Sequence, residues 1–185
     1  MKLLKYLCRS EALAVRLEAA RPRLYRMAYA WCQNTALADD LAQEALAKAL
    51  RRADQLREPE ALNPWLFRIL SNCWHDHLRK HREVEDIDNV TLLSEVTPES
   101  RHQDQQLIDR VRAAILRLPE GQRQVVTLVD LEGFTYAEVA EILEIPIGTV
   151  MSRLCRAHNA LRDRLLRDLD HRPAAAAKTR FRRVK

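Results

Sequence analysis

A helix-turn-helix pattern in the second half of the sequence constrains the fold more than any other feature. Residues 135–161 read TYAEVAEILEIPIGTVMSRLCRAHNAL. Thr135 and Glu138 have the spacing of a capping box, in which each side chain satisfies a free backbone N–H of the first helical turn. Pro146 disfavours helical geometry in the residue before it and suits the first turn of a new helix. The pattern therefore predicts two helices joined by a short turn.

The second of these helices has two distinct faces. At 100° per residue, Leu154 and Ala157 fall on the same side as Val150, which predicts a buried stripe. A helix-turn-helix would place the other side in the major groove of DNA, where arginine reaches guanine or phosphate. An ordinary helical hairpin with solvated arginines would show the same period. The residues of this other side, termed the reading face, are Thr149, Met151, Ser152, Arg153, Cys155 and Arg156.

Charge divides the chain into three parts and favours a nucleic-acid partner. The sequence has 31 Lys and Arg against 26 Asp and Glu, with only 3 Gly, which is typical of a basic, helix-rich protein. Residues 1–82 hold 15 basic and 9 acidic side chains, residues 83–104 hold 1 and 7, and residues 105–185 hold 15 and 10. The acidic part lacks a sustained hydrophobic period and contains Pro98, so it reads as a flexible linker.

These observations predict an all-α protein of two small helical domains, the second of which contains the helix-turn-helix. The expected parts are an N-terminal segment (1–20), a first domain (21–82), an acidic linker (83–104), a second domain (105–170) and a basic tail (171–185). The first twenty residues have charges within their apolar run and do not resemble a signal peptide. Four cysteines without a CxxC spacing indicate reduced thiols, and no segment approaches the roughly 20 apolar residues of a membrane span. We therefore expect a cytoplasmic protein.

Residues 21–32 are amphipathic and predict a first helix. A second helix, predicted over residues 36–56, has an acidic outer face on a basic domain. Its apolar stripe, from Leu37 to Ala49, faces inward, whereas Asp40, Gln43 and Glu44 share the outer side. This acidic side could simply face solvent, or it could bind a positively charged partner protein.

A third helix is predicted from the capping residue Asn63, with Pro64 at the first helical position, to Arg82. Its second half interleaves basic and aromatic side chains, which suits melted or single-stranded nucleic acid because rings stack on bases and cations follow the backbone. Trp74 could equally belong to the core. The residues concerned are Asn72, Trp74, His75, Arg79 and Lys80.

The same helix carries a possible metal constellation. Cys73, His77 and His81 lie at i, i+4 and i+8, a spacing that could hold zinc. A structural zinc site requires a fourth ligand, and the sequence offers none nearby. Neither a GxSxG motif, nor a phosphate-binding glycine loop, nor paired carboxylates with a cleft indicates catalysis. The sequence therefore predicts no metal, no cofactor and no enzymatic activity.

Taken in order, these motifs resemble the extracytoplasmic-function (ECF, group IV) sigma factors of bacterial RNA polymerase. The resemblance covers roughly residues 20–167 and includes DDLAQEALAKAL, NPWLFRILSNCWHDHLRK, LPEGQRQVVTLVDLEGFTYAEVAEIL and IPIGTVMSRLCRAHNAL. It implies a first domain that binds the polymerase clamp and the minus-ten promoter element, and a second domain that reads the minus-thirty-five element. The implied partners are core RNA polymerase, promoter DNA and an anti-sigma factor, with no small-molecule substrate.

The resemblance also implies roles for particular residues. Asp40, Gln43 and Glu44, termed the docking face, match the clamp-binding helix. Residues 72–80, termed the minus-ten segment, match the region that holds a flipped non-template base, and the reading face matches the part that reads the minus-thirty-five element. Glu144 stands where the family usually has glycine in the tight turn, which predicts a non-glycine residue at positive φ.

The alternative is an autonomous helix-turn-helix regulator whose first domain only dimerises it. Such a protein would require a self-complementary apolar interface and DNA half-sites related by a two-fold axis. The sequence shows no spare apolar stripe for that interface.

Overall fold

The computed structural model describes residues 2–56, 58–84 and 103–170. The predicted basic tail, and the predicted acidic linker apart from its two ends, lie outside these residues. Within the described ranges the chain forms no strand, and it forms seven α-helices: α1 (Lys2–Cys32), α2 (Thr35–Arg51), α3 (Leu62–Val84), α4 (Gln103–Leu116), α5 (Glu120–Val126), α6 (Tyr136–Leu143) and α7 (Ile147–Asp170). Short 3₁₀ turns (Ala53–Gln55 and Pro59–Ala61) lie between α2 and α3, and a π-helical turn (Thr127–Leu131) follows α5. The all-α fold class is confirmed.

Helices α1, α2 and α3 pack into the first domain. The inward side of α2 is rich in alanine, including Ala42 and Ala45, which have no exposed surface, and such small side chains let the neighbouring helices approach closely. Leu24 of α1 and Leu66 and Leu70 of α3 complete the core. The stripe predicted for α2 is therefore confirmed, and the docking face lies outside it.

Helix α1 is longer than its sequence pattern predicted. The predicted helix began at residue 21, yet α1 is continuous from Lys2 and contains Pro22. Leu17 and Ala20 are buried in the same core as Leu24, so apolar packing continues across the proline. Burial of this stripe offsets the backbone hydrogen bond that proline cannot make. The first domain therefore begins before residue 21.

Helix α3 starts differently from its prediction. Asn63 was expected to cap the helix, but α3 begins at Leu62 and Asn63 lies exposed within its first turn. A 3₁₀ turn leads into the helix and Leu62 is buried in the core, so the chain is already wound when it reaches Asn63. The predicted capping role is wrong, although the helix itself is confirmed.

Helices α4 to α7 form the second domain, with α6 and α7 as the helix-turn-helix. Thr135 caps α6, and the reciprocal bonds of a capping box with Glu138 are both present. Val150, Leu154 and Ala157 are buried, as predicted. The helix-turn-helix therefore forms as predicted, and the outer side of α7 faces away from the core.

Glu144 ends α6 in the left-handed conformation, with φ 54° and ψ 43°. A side chain at such a φ is strained by about 1 kcal/mol relative to glycine. We expect Glu144→Gly to raise the free energy of unfolding by about 0.5–1 kcal/mol, measured by urea denaturation. The matched control is Gly133→Ala at φ +76°, where a Cβ would meet no atom within 4 Å, so only backbone strain is added. Destabilisation by Glu144→Gly would contradict the strain argument.

The two domains pack against each other, and their cores join. Phe67 of α3 meets Phe134, just before α6, edge to face with ring centroids 5.0 Å apart. Trp31 of α1 reaches the π-helical turn of the second domain. The sequence indicated two separate bodies joined by a linker, and this interface is a feature that it did not predict.

Candidate polymerase and nucleic-acid interfaces

The docking face is exposed on α2, as its helical period predicted. Asp40, Gln43 and Glu44 all reach solvent. Gln43 donates to a carboxylate oxygen of Asp39 at 2.7 Å, and Glu44 pairs with Lys48 at 2.9 Å. Over the described part of the chain, Asp40 has no hydrogen-bond or ion-pair partner. Its carboxylate is therefore available to a basic partner surface.

The minus-ten segment occupies the second half of α3, and the structure divides its residues into two groups. Asn72, Arg79 and Lys80 form the first group, and all three are exposed to solvent. Of these, Arg79 also lines a groove between the two domains. Arg79 donates to Asp76 at 2.9 Å, an exposed pair that contributes little to stability.

Trp74 and His75 form the second group, because both contact α5. Trp74 is 7% exposed, and its Nε1–H donates to Glu120 at 3.1 Å. His75 Nε2 lies 3.1 Å from the side-chain nitrogen of Gln124. In this conformation Trp74 has the core position that the sequence left open as an alternative.

The residues of the possible zinc site lie in environments that disfavour metal binding. Cys73 is buried, and burial raises the pKa of its thiol, so the thiolate that zinc requires is disfavoured. Burial and, secondarily, the neighbouring His81 lower the pKa of His77, whose ring stacks on Trp74 with centroids 5.8 Å apart. Among the described side chains, no group of three or more has the arrangement of a metal site.

We therefore expect the purified protein to hold no stoichiometric zinc. The measurement is inductively coupled plasma mass spectrometry after equilibration with zinc and dialysis, with His77→Ala as the comparison. One zinc per chain that is lost in this variant would restore the metal site.

The reading face lies along the amino-terminal half of α7. Met151, Cys155 and Arg156 are exposed, whereas Thr149, Ser152 and Arg153 are partly buried. Arg156 donates to the Ser152 hydroxyl at 3.4 Å, and that hydroxyl donates to the carbonyl of Thr149 at 3.1 Å. These contacts run along one side of the helix and hold the Arg156 guanidinium over its exposed surface.

Arg153 has a different environment from the rest of the reading face. Its guanidinium covers Gly121 of α5, where an added Cβ would lie 2.9 Å from Nη1. With His75 and Arg79 it lines a groove of about 720 Å³ between the domains. The groove therefore brings together Arg79 of the minus-ten segment and Arg153 of the reading face.

The sequence did not predict that α5 contributes to this site. Glu120 and Gln124 engage the minus-ten segment, and Gly121 accommodates Arg153. The available signal was weak, because an acidic residue in the first turn of a helix is common for dipole reasons alone. Gly121, one of 3 glycines in the chain, was the better indicator of a close approach.

None of the helices in the described ranges combines the length and apolar character that crossing a membrane requires.

Comparison with known families gives two matches that coincide with the two domains. Residues 17–84 match Sigma-70 region 2, and residues 108–161 match Sigma-70, region 4. The first match begins before residue 21, in agreement with the burial of Leu17.

Individual proteins are similar over most of the chain. ECF RNA polymerase sigma factor EcfG of Rhodopseudomonas palustris is 36% identical over 146 residues, which are 77% of this chain and 79% of that protein. SigW of Bacillus subtilis, also an ECF RNA polymerase sigma factor, is 31% identical over 171 residues, 86% of this chain and 91% of that one. Among solved structures, sigma factor RpoE of Bartonella quintana, in complex with the anti-sigma factor NepR, superposes with a TM-score of 0.73. That likeness has 32% identity and covers 85% of this chain and 99% of the other.

Proposed function

The chain belongs to the extracytoplasmic-function sigma factors of RNA polymerase, and we propose that each of its three exposed faces binds a different target. As a sigma factor it binds core polymerase and directs initiation at specific promoters. In this proposal the docking face on α2 binds the polymerase clamp, the minus-ten segment on α3 captures melted DNA, and the reading face on α7 recognises the minus-thirty-five element.

The observation that carries this assignment is the exposure of the docking face. An acidic patch with an unpartnered Asp40, on a domain whose charge is otherwise basic, suits a basic protein surface and repels DNA phosphate. An autonomous DNA-binding regulator has no use for such a patch. The exposed Arg79 and Lys80 lie on another helix, where attraction to phosphate is expected.

The chemistry proposed for the two DNA-binding faces follows from their side chains. On α3, Arg79 and Lys80 would follow the strand backbone while Asn72 hydrogen-bonds an unpaired base. On α7, Arg156 is suited to the N7 and O6 acceptors of guanine, and Thr149 and Ser152 to phosphate or base edges. Residues 21–82 and 105–170 are the proposed functional domains, with the first extended toward residue 17.

Further expectations accompany the family assignment. Sigma factors are regulatory subunits and not enzymes, and we propose that this chain acts in the cytoplasm without a cofactor or small-molecule substrate. Because the similar RpoE was solved with the anti-sigma factor NepR, we also propose an anti-sigma factor as a partner.

The decisive test is transcription of genomic DNA by core polymerase with and without the chain, with mapping of the start sites, followed by gel shifts of the mapped promoters with the chain alone. We expect new start sites that share two elements, and only weak, salt-sensitive binding by the chain alone. Nanomolar sequence-specific binding by the chain alone, with no transcription when it is added, would identify an autonomous regulator.

A further inference from the structure

We propose that Ile147 and Met151 recognise the C5-methyl group of thymine in the minus-thirty-five element. These two residues, termed the apolar edge, add a hydrophobic determinant to the hydrogen bonds proposed for the reading face. The contact rests on the proposed function and specifies the base chemistry that α7 reads, since the hydrogen-bonding side chains of the reading face leave a methyl group unrecognised.

The apolar edge is exposed at the start of α7. Ile147 and Met151 are 49% and 54% exposed, whereas Ile145, just before the helix, packs against the core. The backbone N–H groups of Thr149 and Val150 both donate to the carbonyl of Pro146, so the chain is helical from this turn onward. Residues four positions apart are neighbours on a helix surface. The two side chains therefore form one continuous apolar surface.

The apolar edge borders the hydrogen-bonding side chains of α7. At about 100° per residue, Ile147 and Met151 lie about 60° and 100° round the helix from the buried Val150. Thr149 and Arg156 lie about 100° and 120° from it in the opposite direction. The outer side of these turns therefore has an apolar border and a polar border.

Further along α7, the side that carries the apolar edge contacts the rest of the second domain. His158 lies at about the same angle as Met151, and its Nε2 is 2.7 Å from a carboxylate oxygen of Asp130 in the π-helical turn. The exposed apolar surface on this side therefore lies in the first two turns of α7. Those are the turns that a helix-turn-helix places nearest the base edges.

Duplex DNA offers partners for both borders in one groove. Thymine alone presents a methyl group in the major groove, whereas guanine presents the acceptors N7 and O6. A helix with its side chains is about 10–12 Å across and the groove is about 12 Å wide, so both borders of α7 come within reach of base edges.

The spacing within the apolar edge also matches the stacking of base pairs. Ile147 and Met151 are about 6 Å apart along the helix axis, because each residue adds about 1.5 Å. Successive base pairs are about 3.4 Å apart. The apolar edge therefore fits thymines in consecutive or next-but-one base pairs.

A protein partner would be the other class of occupant for an apolar edge. The adjoining polar border favours DNA, because the Thr149 and Ser152 hydroxyls and the Arg156 guanidinium lie on the same turns. A protein that buried the apolar edge against its own apolar side chains would have to supply partners for these groups as well. The major groove supplies methyl groups and hydrogen-bond acceptors together.

Uracil provides a direct test, because it lacks the methyl group of thymine and keeps the same hydrogen-bonding edge. Holoenzyme is reconstituted from core polymerase and the full-length chain, and competition binding is measured on a mapped promoter. Each thymine of the minus-thirty-five element, on either strand, is replaced in turn by uracil. Burial of one methyl group strengthens binding about fourfold. We therefore expect one or two uracil positions to weaken binding about fourfold, and the others to change it less than about 1.5-fold.

Substitutions assign this sensitivity to the apolar edge. Ile147→Ala and Met151→Ala should each weaken binding to the thymine promoter about fourfold or more. Each should also abolish the effect of uracil at one position, because the methyl contact is already lost. Met151→Leu, which stays apolar at a similar volume, should keep the sensitivity. The matched control is Leu166→Ala, at a position 52% exposed further along α7, which should leave affinity within twofold and the response to uracil unchanged.

Three results would overturn the methyl contact. The first is a minus-thirty-five element without an A·T pair, or one in which no uracil weakens binding by the parent. The second is sensitivity to uracil that persists in both alanine variants, which would assign the methyl groups to other residues. The third is weaker binding of these variants to core polymerase alone, measured by fluorescence anisotropy, with unchanged sensitivity to uracil. In that case the apolar edge contacts protein.

The same measurements separate this proposal from the proposed function. A parent that starts promoter-specific transcripts but does not respond to uracil would contradict the apolar edge alone. A chain that binds DNA specifically without starting transcripts would contradict the proposed function alone, provided that uracil weakens its gel shift and the alanine variants abolish that response.

Discussion

Replacing Asp40, Gln43 and Glu44 together by alanine is expected to weaken binding to core RNA polymerase about a hundredfold and to remove promoter-specific transcription at matched concentrations. A hydrogen bond to a charged group contributes about 1.5–3 kcal/mol. Loss of two such bonds in the complex costs about 3 kcal/mol or more, and 1.4 kcal/mol corresponds to a factor of ten. The measurements are fluorescence anisotropy of a labelled chain titrated with core polymerase, and run-off transcription.

The triple substitution is expected to leave the fold intact. The core side of α2, which includes Leu41 and Ala45, is unchanged. The hydrogen bond of Gln43 with Asp39 and the ion pair of Glu44 with Lys48 would be removed, but both lie at the surface of α2, where such interactions contribute little to stability. A control with Asp54, Gln55 and Glu60 replaced by alanine removes the same chemical groups from exposed positions elsewhere in the first domain. Equal loss of binding in both triples, or no loss in the first, would remove the assignment of the docking face.

The local elements could be predicted from the sequence because each is encoded within a few residues. The capping box at Thr135 needs only the residue three positions later, and the stripe of Val150, Leu154 and Ala157 needs only the helical period. The positive φ of Glu144 followed instead from the family pattern, in which glycine usually occupies the tight turn. A prediction of this kind failed at Asn63, where a 3₁₀ turn winds the chain before the expected cap.

The contact between the domains could not be predicted in the same way. Trp31 and Thr127 are 96 positions apart, and Arg23 and Glu132 are 109 apart. Nothing in the local sequence of either residue indicates its partner, since a tryptophan on an amphipathic helix suits a core or an interface equally well.

The candidate sites show the same division between local and distant information. Exposure of Asp40 and Arg156 followed from helix periodicity alone. The environments of Trp74 and Arg153 did not, because they depend on Glu120 and Gly121 of a helix that follows the linker. The environment of a residue at the edge of a helical stripe depends on which helix packs against it, and the helical period does not identify that helix.

Replacing Arg156 or Arg153 by alanine is expected to weaken promoter recognition in two different ways. Arg156 is exposed on the reading face and oriented by Ser152, which suits a bidentate contact with one guanine. Loss of such a contact costs about 1–3 kcal/mol, roughly 5- to 150-fold, and relaxes preference at that position. Arg153 is partly buried against Gly121, and its position at the edge of α7 suits a phosphate. Arg153→Ala should therefore weaken all promoters by a similar factor.

The measurement is run-off transcription by reconstituted holoenzyme from a promoter set in which each base of the minus-thirty-five element is changed in turn. For Arg156→Ala the loss should vanish at one substituted position, because the parent has already lost the same contact there. For Arg153→Ala the loss should be uniform, and the dependence on salt should fall by about one unit of slope. Arg162→Ala, at an exposed position further along α7 that pairs with Asp163, is the matched control and should change transcription less than twofold. Parallel losses for Arg156→Ala and Arg153→Ala across every promoter would mean that α7 meets the backbone only, and that the bases are read by another part of the chain.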